Sequence, residues 1–412
     1  MNLKSLLLFA LSTTTMHTIL ISQDIIYDEI SMGAGYENML FYSLEDGLVG
    51  EAPMAGWDLS FDVRPMGSTA NINCGLGHTL YPFGSLDDWD TASLENWEIP
   101  SPYRNDHSNW SVGAFNQGND PNDGFDLGWG IYDIVTHVVT ADHMYVLQLP
   151  SGDYKKLAIL SLASGVYTFR HANMDGSEEF EVEINKDDFE GKLHAYFNIE
   201  NNEVLDYEPD ANWDLLAMRY LGDIGDGVLY GVTGILMNYG VLTQQMDGLT
   251  DPFVDGEIDA ALLTDDINAI GSDWKSYSMT AGYSVVEDRC YAVSDMSGNI
   301  WRVVFTSFDG SSTGNMEIGK VPETPSSSVH EPADFALEYY PNPVVNQGDL
   351  RVVLPHANGG DVRIISLTGA TVKTHRMTSN SANINLGGIR AGLYLLECRV
   401  GNQVAVEKLL IQ

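Results

Sequence analysis

With 412 residues, 44% of them hydrophobic and including 8 Trp and 20 Tyr, the chain can fill about two to four ordinary domain cores, which excludes global disorder. Its 58 Asp+Glu against 20 Lys+Arg give a formal charge of −38, a surface that repels phosphate backbones and anionic lipid heads and so excludes a nucleic-acid binder. The acid is unevenly placed: residues 23–334 hold 53 acidic and 12 basic residues, net −41, whereas residues 335–412 hold 5 and 7. Three cysteines, Cys74, Cys290 and Cys398, fit neither a disulfide framework nor zinc spacing, although a Cys74–Cys290 bridge stays open.

Residues 1–22 read as a signal peptide. Lys4 supplies the positive start, Leu6 to Leu11 and Met16 to Ile21 the apolar stretch, and cleavage is expected near Ser22/Gln23, with Leu20 bulkier than usual at the −3 position. Ser12-Thr13-Thr14-Thr15 interrupts the run, and no later stretch reaches the roughly 18 apolar residues of a spanning helix, so a protein outside the membrane is expected.

Next comes an internal duplication. Phe41-Tyr42-Ser43-Leu44-Glu45-Asp46-Gly47, then Pro53 and Trp57-Asp58-Leu59, returns as Tyr196-Phe197-Asn198-Ile199-Glu200-Asn201-Asn202, then Pro209 and Trp213-Asp214-Leu215. The offset is 155 at Tyr42/Phe197 and 156 at Trp57/Trp213. Asn73-Cys74-Gly75 then matches Asn238-Tyr239-Gly240, Trp129 matches Trp274, and the turn at Gly152 matches Gly298. Both copies read as antiparallel β: Tyr145, Leu147 and Leu149 share one side of a strand, and Phe180, Val182 and Ile184 alternate with carboxylates. Ser151-Gly152-Asp153 marks a hairpin, and Leu80 to Asn109 an irregular excursion.

Val321 to Pro332 is rich in Pro and Ser, which predicts an exposed linker open to proteolysis. Beyond it, strands are predicted at Leu350–Leu354, Val362–Ser366, Ala370–Thr374, Ala382–Leu386, Leu393–Val400 and Val404–Ile411, a small β-sandwich. Tyr340-Pro341-Asn342-Pro343-Val344, Leu367-Thr368-Gly369-Ala370, Gly392-Leu393-Tyr394 and Lys408-Leu409-Leu410-Ile411 together make this tail resemble the type A sorting domain of type IX secretion in Bacteroidetes. That resemblance implies the type IX machinery as partner, removal of the tail within the linker, and release or attachment to a surface lipopolysaccharide. The duplicated region, through its Trp-Asp-Leu, Asn-x-Gly and Gly-x-Tyr-Lys steps, is similar to the HmuY-like family of surface proteins, whose characterised members bind haem. The expected organisation is a signal peptide at 1–22, HmuY-like domains at 23–190 and 191–321, a linker at 322–334 and the sorting domain at 335–412.

Haem needs an axial His, Met, Cys or Tyr in an apolar pocket. Copy one offers His78, His107, His137, His143, His171 and the boundary His194, while copy two, from Ala195 on, has no histidine before His330. His137 and His143 flank a predicted turn at Thr140-Ala141-Asp142: a three-residue turn puts them on one face, a two-residue turn on opposite faces. Met144 is adjacent, and Met237 or Met279 could serve copy two. Calcium could be wrapped by Asn119 to Asp126, or by Asp247, Asp251, Asp255, Glu257 and Asp259, though neither has EF-hand spacing. Trp57 and Trp213 read as core anchors; Trp89, Trp97 and Trp110 could cover a core edge or stack on a ligand. No GxSxG, HExxH, Walker or dinucleotide motif occurs. The expectation is an all-β, non-enzymatic surface binding protein; the alternatives are an adhesive or structural protein and an unrecognised hydrolase.

Overall fold

A computed structural model describes residues 24–223, 227–323, 337–345, 348–354, 359–366, 371–400 and 403–411. The residues expected to form a signal peptide, almost all of the expected linker and the motif Leu367 to Ala370 lie outside the described residues. Apart from short 3-10 turns, all regular structure described is strand, as the alternating patterns predict.

The first copy supplies β1 (Ile26–Ser31), β2 (Asn38–Ser43), β3 (Gly47–Pro53), β4 (Leu59–Asp62), β5 (Ala70–Ile72), β6 (Thr79–Ser85), β7 (Gly130–Asp133), β8 (Val138–Ala141), β9 (His143–Gln148), β10 (Tyr154–Ala163) and β11 (Val166–Asn173). The second repeats the series strand for strand: β12 (Phe180–Asn185), β13 (His194–Asn198), β14 (Glu203–Leu205), β15 (Leu215–Asp223), β16 (Leu229–Met237), β17 (Leu242–Met246), β18 (Lys275–Ser278), β19 (Gly282–Val285), β20 (Cys290–Ser294), β21 (Ile300–Phe308) and β22 (Asn315–Pro322). The excursion starts only after Ser85, because Leu80 and its neighbours pair with β9 across a register shift at Pro82/Gly84.

The repeat and the folded units are out of phase. Each copy's first two strands pair with the body of the other copy, and its third joins the same sheet beside the second. β2 lies against β15 with Tyr42 opposite Leu215, and β13 lies against β4 with Phe197 opposite Leu59. Likewise β1 pairs with β22 and β12 with β11. A first unit therefore runs continuously from β4 to β14, and a second is closed by β1–β3 against β15–β22. The boundary expected at 190/191 passes between β12 and β13, inside the first unit.

Four layers result. In the first unit an outer sheet built on β6, β9, β10, β11 and β12 covers an inner sheet β14-β13-β4-β5. In the second, β17-β20-β21-β22-β1 covers β16-β15-β2-β3. Alternation along each inner strand sends side chains to two different cores. On β4 and β13, Leu59, Phe61, Ala195 and Phe197 enter the first core, with Trp129 and Tyr167. On β2 and β15, Leu40, Tyr42, Leu215 and Ala217 enter the second, with Trp274 and Phe305. The opposite faces meet between the units, where Phe41, Leu216, Met218 and Tyr220 pack with Trp57, Tyr196 and Trp213.

The recurring Trp-Asp-Leu step now has a physical reason. Asp58 N–H donates to the Phe197 carbonyl and its carboxylate accepts from Ile199 N–H at 2.7 Å. Asp214 does the same with Tyr42 and with Leu44 N–H, again at 2.7 Å. Asn73 and Asn238 lock the step by donating to the carbonyls of Trp57 and Trp213. Each Asp thus holds the opening hairpin of the other copy.

The tail is a separate sandwich: β23 (Glu338–Tyr340), β24 (Asp349–Val353) and β27 (Ser381–Asn385) form one sheet. β25 (Gly360–Ser366), β26 (Thr371–Met377), β28 (Gly392–Val400) and β29 (Gln403–Ile411) form the other. Leu350, Val352, Ile364, Leu396 and Cys398 fill its core. All three cysteines are free and buried, with Cys74 and Cys290 in different cores, so the bridge left open by the sequence is not formed.

Candidate functional site

The residues proposed as haem ligands do not converge. No turn occurs at Thr140 to Asp142; β8 and β9 follow one another along the same edge of β10, with Thr140 opposite Ser161 and Tyr145 opposite Leu157. An extended run of this length separates His137 from His143 by roughly 15–20 Å. His143 is exposed beside the Asp142 carboxylate. Met144 points the opposite way and is fully buried with Trp89, Ala158 and Ala172. Met237 is sealed in the second core, whereas Met279 is exposed at a hairpin tip.

The remaining histidines serve packing. His78 bridges the Asn73 carbonyl and the Asp58 carboxylate, at 2.9 and 2.7 Å. His171 bonds Asn202 at 2.9 Å. His194 sits near Asn71 and Glu208 under the edge of Trp110. His107, from the excursion, reaches the Cys74 thiol at 3.5 Å, and burial lowers its pKa to about 4. The excursion thus ties the units together, and Trp110 adds a 2.8 Å bond from its indole to the Met237 carbonyl. Trp89 covers a core edge under Arg170, while Trp97 packs among Tyr81, Phe83 and Tyr154.

The acidic loops spend their carboxylates on their own turns. Asp120, Asp123 and Asp126 accept from the N–H groups of Asn122, Phe125 and Gly128; Asp251 and Asp259 accept from Phe253 and Ala261. Among the described residues no cluster of three His, Cys, Asp or Glu could hold a metal ion.

His137 does line a cleft. It closes the turn between β7 and β8 with φ +57°, and its Nδ1 lies 2.7 Å from the Tyr132 hydroxyl. The cleft measures about 630 Å³ between Met66, Leu127, Tyr132, Val139 and Leu162. At its rim Lys186 donates to the Arg64 and Gly67 carbonyls. The equivalent hairpins of the second unit frame another cleft of about 550 Å³, with Tyr36, Arg219, Tyr230, Lys275, Tyr277 and Tyr283 on its walls. Sequence reasoning passed over Arg219 and Lys275, although cations are rare enough in this body for each to be a signal.

In the tail, the opening motif grips the last strand. Tyr339 hydroxyl and the Asn342 amide both donate to the Lys408 carbonyl, at 2.9 and 3.0 Å, and the Asn342 oxygen accepts from Leu410 N–H at 2.8 Å. The Asn342 side chain thereby imitates a strand neighbour, and Val344 N–H extends the pairing to the Leu410 carbonyl. Pro341 and Pro343, which have no N–H, flank it without demanding partners. Tyr340 is half exposed, Gly392 opens β28, and Tyr394 hydroxyl closes the preceding turn on the Arg390 carbonyl. Residues 338–412 match the secretion system C-terminal sorting domain. The sorting domain marks the chain for the type IX machinery, and the protein is secreted or attached at the cell surface. No helix among the described residues is long and apolar enough to cross a membrane.

No curated protein matches the chain by sequence. Among solved structures, PorZ, a surface component of the type IX secretion system of Porphyromonas gingivalis, is similar at 11% identity over 68% of this chain and 44% of its own, with a TM-score of 0.17. A polysaccharide lyase (10%, 94% and 46%, TM-score 0.16) and a biofilm-associated protein domain (10%, 94% and 81%, TM-score 0.17) are comparably distant. The chain spans less than half the length of the first two, and none of these likenesses carries an argument about its activity.

Proposed function

We propose that this chain is a non-catalytic surface binding protein, delivered by type IX secretion and trimmed of its tail within the linker. The body is then released or attached to lipopolysaccharide. The observation that carries the reading is the sorting domain, held in shape by the Asn342 clamp on its last strand. Mass spectrometry of protein harvested outside the cell is expected to find the body without residues 338–412, and deletion of that segment to leave the body inside the outer membrane. An intact tail on the external protein overturns the reading.

The body's ligand, on this proposal, enters the cleft of the first unit. Tyr132 engages His137 Nδ1 and leaves Nε2 without a partner among the described residues, in a wall that is otherwise largely apolar. One imidazole and an apolar wall suit a haem with a single protein ligand, and the likeness of the repeat to the HmuY-like family makes hemin the first compound to test. Titration is expected to raise a Soret band that His137→Ala abolishes and His143→Ala leaves intact. No spectral change returns the body to a purely adhesive or structural role.

A further inference from the structure

The cleft of the second unit combines two features that the acidic body elsewhere keeps apart, an unpaired cation and exposed aromatic rings. The other basic residues of this unit are committed. Arg289 pairs with Asp247 and Asp273, Arg302 with Glu323, and Lys320 with Asp28. Arg219 stands on β15 opposite Thr233, half-buried in the cleft wall, with no ion pair or hydrogen bond among the described residues. Lys275 reaches the Thr233 carbonyl at 2.5 Å and lies over the Trp274 ring at 4.1 Å, also without a carboxylate. Around them Tyr230 and Tyr277 are each 64% exposed, and Tyr277 faces Tyr283 with ring centroids 5.0 Å apart.

Each part limits the ligand. An unpaired guanidinium in a half-buried wall suits a planar carboxylate, which it can take with two parallel hydrogen bonds. Flat phenol rings at an open rim suit the apolar face of a sugar, and the tyrosine, serine and threonine hydroxyls beside them suit its hydroxyl groups. The net charge of −41 over residues 23–334 opposes any densely charged polymer, so the acid must be isolated on an otherwise neutral molecule. We propose that this cleft binds an otherwise neutral glycan through one carboxylate-bearing sugar, with Arg219 taking the carboxylate and Tyr230 and Tyr277 stacking on the ring. This assignment does not depend on what fills the cleft of the first unit.

The test is calorimetric titration of the whole secreted protein with 3′-sialyllactose, the methyl glycoside of glucuronic acid, lactose and an acidic tripeptide. At least one acidic sugar is expected to bind, and lactose and the peptide to bind at least about tenfold more weakly, the scale of one charge-assisted hydrogen-bonded pair. Arg219→Gln is expected to reduce the acidic sugar to the level of lactose, and Arg219→Lys to restore part of the difference. Tyr277→Ala, at an exposed position that packing does not require, is expected to weaken sugar binding even if the Arg219 variants melt early. Binding of neither acidic sugar, equal binding of lactose or of the peptide, or a folded Arg219→Gln with unchanged affinity overturns the assignment.

Discussion

The two units share one frame and differ at their clefts. Asp58 with Asn73 and Asp214 with Asn238 make the same bonds, the carboxylates both at 2.7 Å and the amides at 2.9 and 2.8 Å, and both frames seat a buried Trp, Trp129 or Trp274. At the hairpin tips the copies part: Met66, Tyr132 and His137 line one cleft, and Arg219, Tyr230 and Lys275 the other. Duplication preserved the residues that satisfy buried N–H groups and left the solvent-facing loops free to change. Such loops are where binding usually resides.

The sharpest way to break this comparison is to cut the chain by repeat and by unit. A fragment of residues 57–208 contains a whole core and is expected to fold as a monomer by circular dichroism and sedimentation. A fragment of residues 24–175 contains one complete sequence copy but lacks the strands that close its sheets, and is expected to stay unfolded or to fold only as a dimer. If 24–175 is a stable monomer, the crossed pairing is wrong.

Next in size is the pair of frame carboxylates. Asp214→Ala strands the buried N–H of Leu44 and the part-buried N–H of Met296, and Asp58→Ala strands Ile199 N–H and His78. Each is expected to lose about 2–5 kcal/mol in denaturant unfolding. Hydrogen exchange should rise first in the opening hairpin of the opposite copy, at Leu44 for Asp214→Ala and at Ile199 for Asp58→Ala.

Lys275 distinguishes the units more gently, since the first unit has Gly130 at that position. Burial lowers its pKa from 10.5 to about 7, so the unfolded chain binds the extra proton between those values. The native state bears the cost in full below about pH 7 and sheds it as pH rises to the ordinary lysine range. Lys275→Met is therefore expected to gain roughly 2–4 kcal/mol near neutrality, with the gain shrinking towards pH 10 in thermal melts across that range.

The smallest effect belongs to His107, which has no counterpart in the second unit. Its pKa, lowered from 6.5 to about 4 by burial, keeps the native ring neutral while the unfolded one charges. Its contribution to stability is complete above about pH 6.5 and is lost as pH falls to about 4. His107→Gln should flatten that part of the acid-unfolding profile by about 1–3 kcal/mol relative to the parent.

Much of the fold was legible in the chain. Period-two alternation marked strands such as Tyr145 to Leu149, and the offset of 155–156 marked the repeat, because both depend on residues close in sequence. The crossed pairing was hidden, since Phe41 and Tyr196 carry the same pattern and a strand's own sequence does not state which equivalent partner it joins. The site was legible only in part. His137 does reach a cleft, but the turn expected before His143 proved to be extended chain running from β8 into β9, because both pair with β10, which lies beyond that stretch of sequence. Arg219 and Lys275 came together only through β15, β18 and the hairpins around them.

The crossed closure also orders events as the chain is made. β2 emerges early and waits some 170 residues for β15, while β4, which closely resembles that partner, emerges at once. Pairing of β2 with β4 would occupy the place of β13, a mistake built from correct-looking contacts and favoured by proximity. Were that pairing to form, the first unit could mature only after β13 displaced this early tenant; the second is complete only when β22, the last strand before the linker, has arrived.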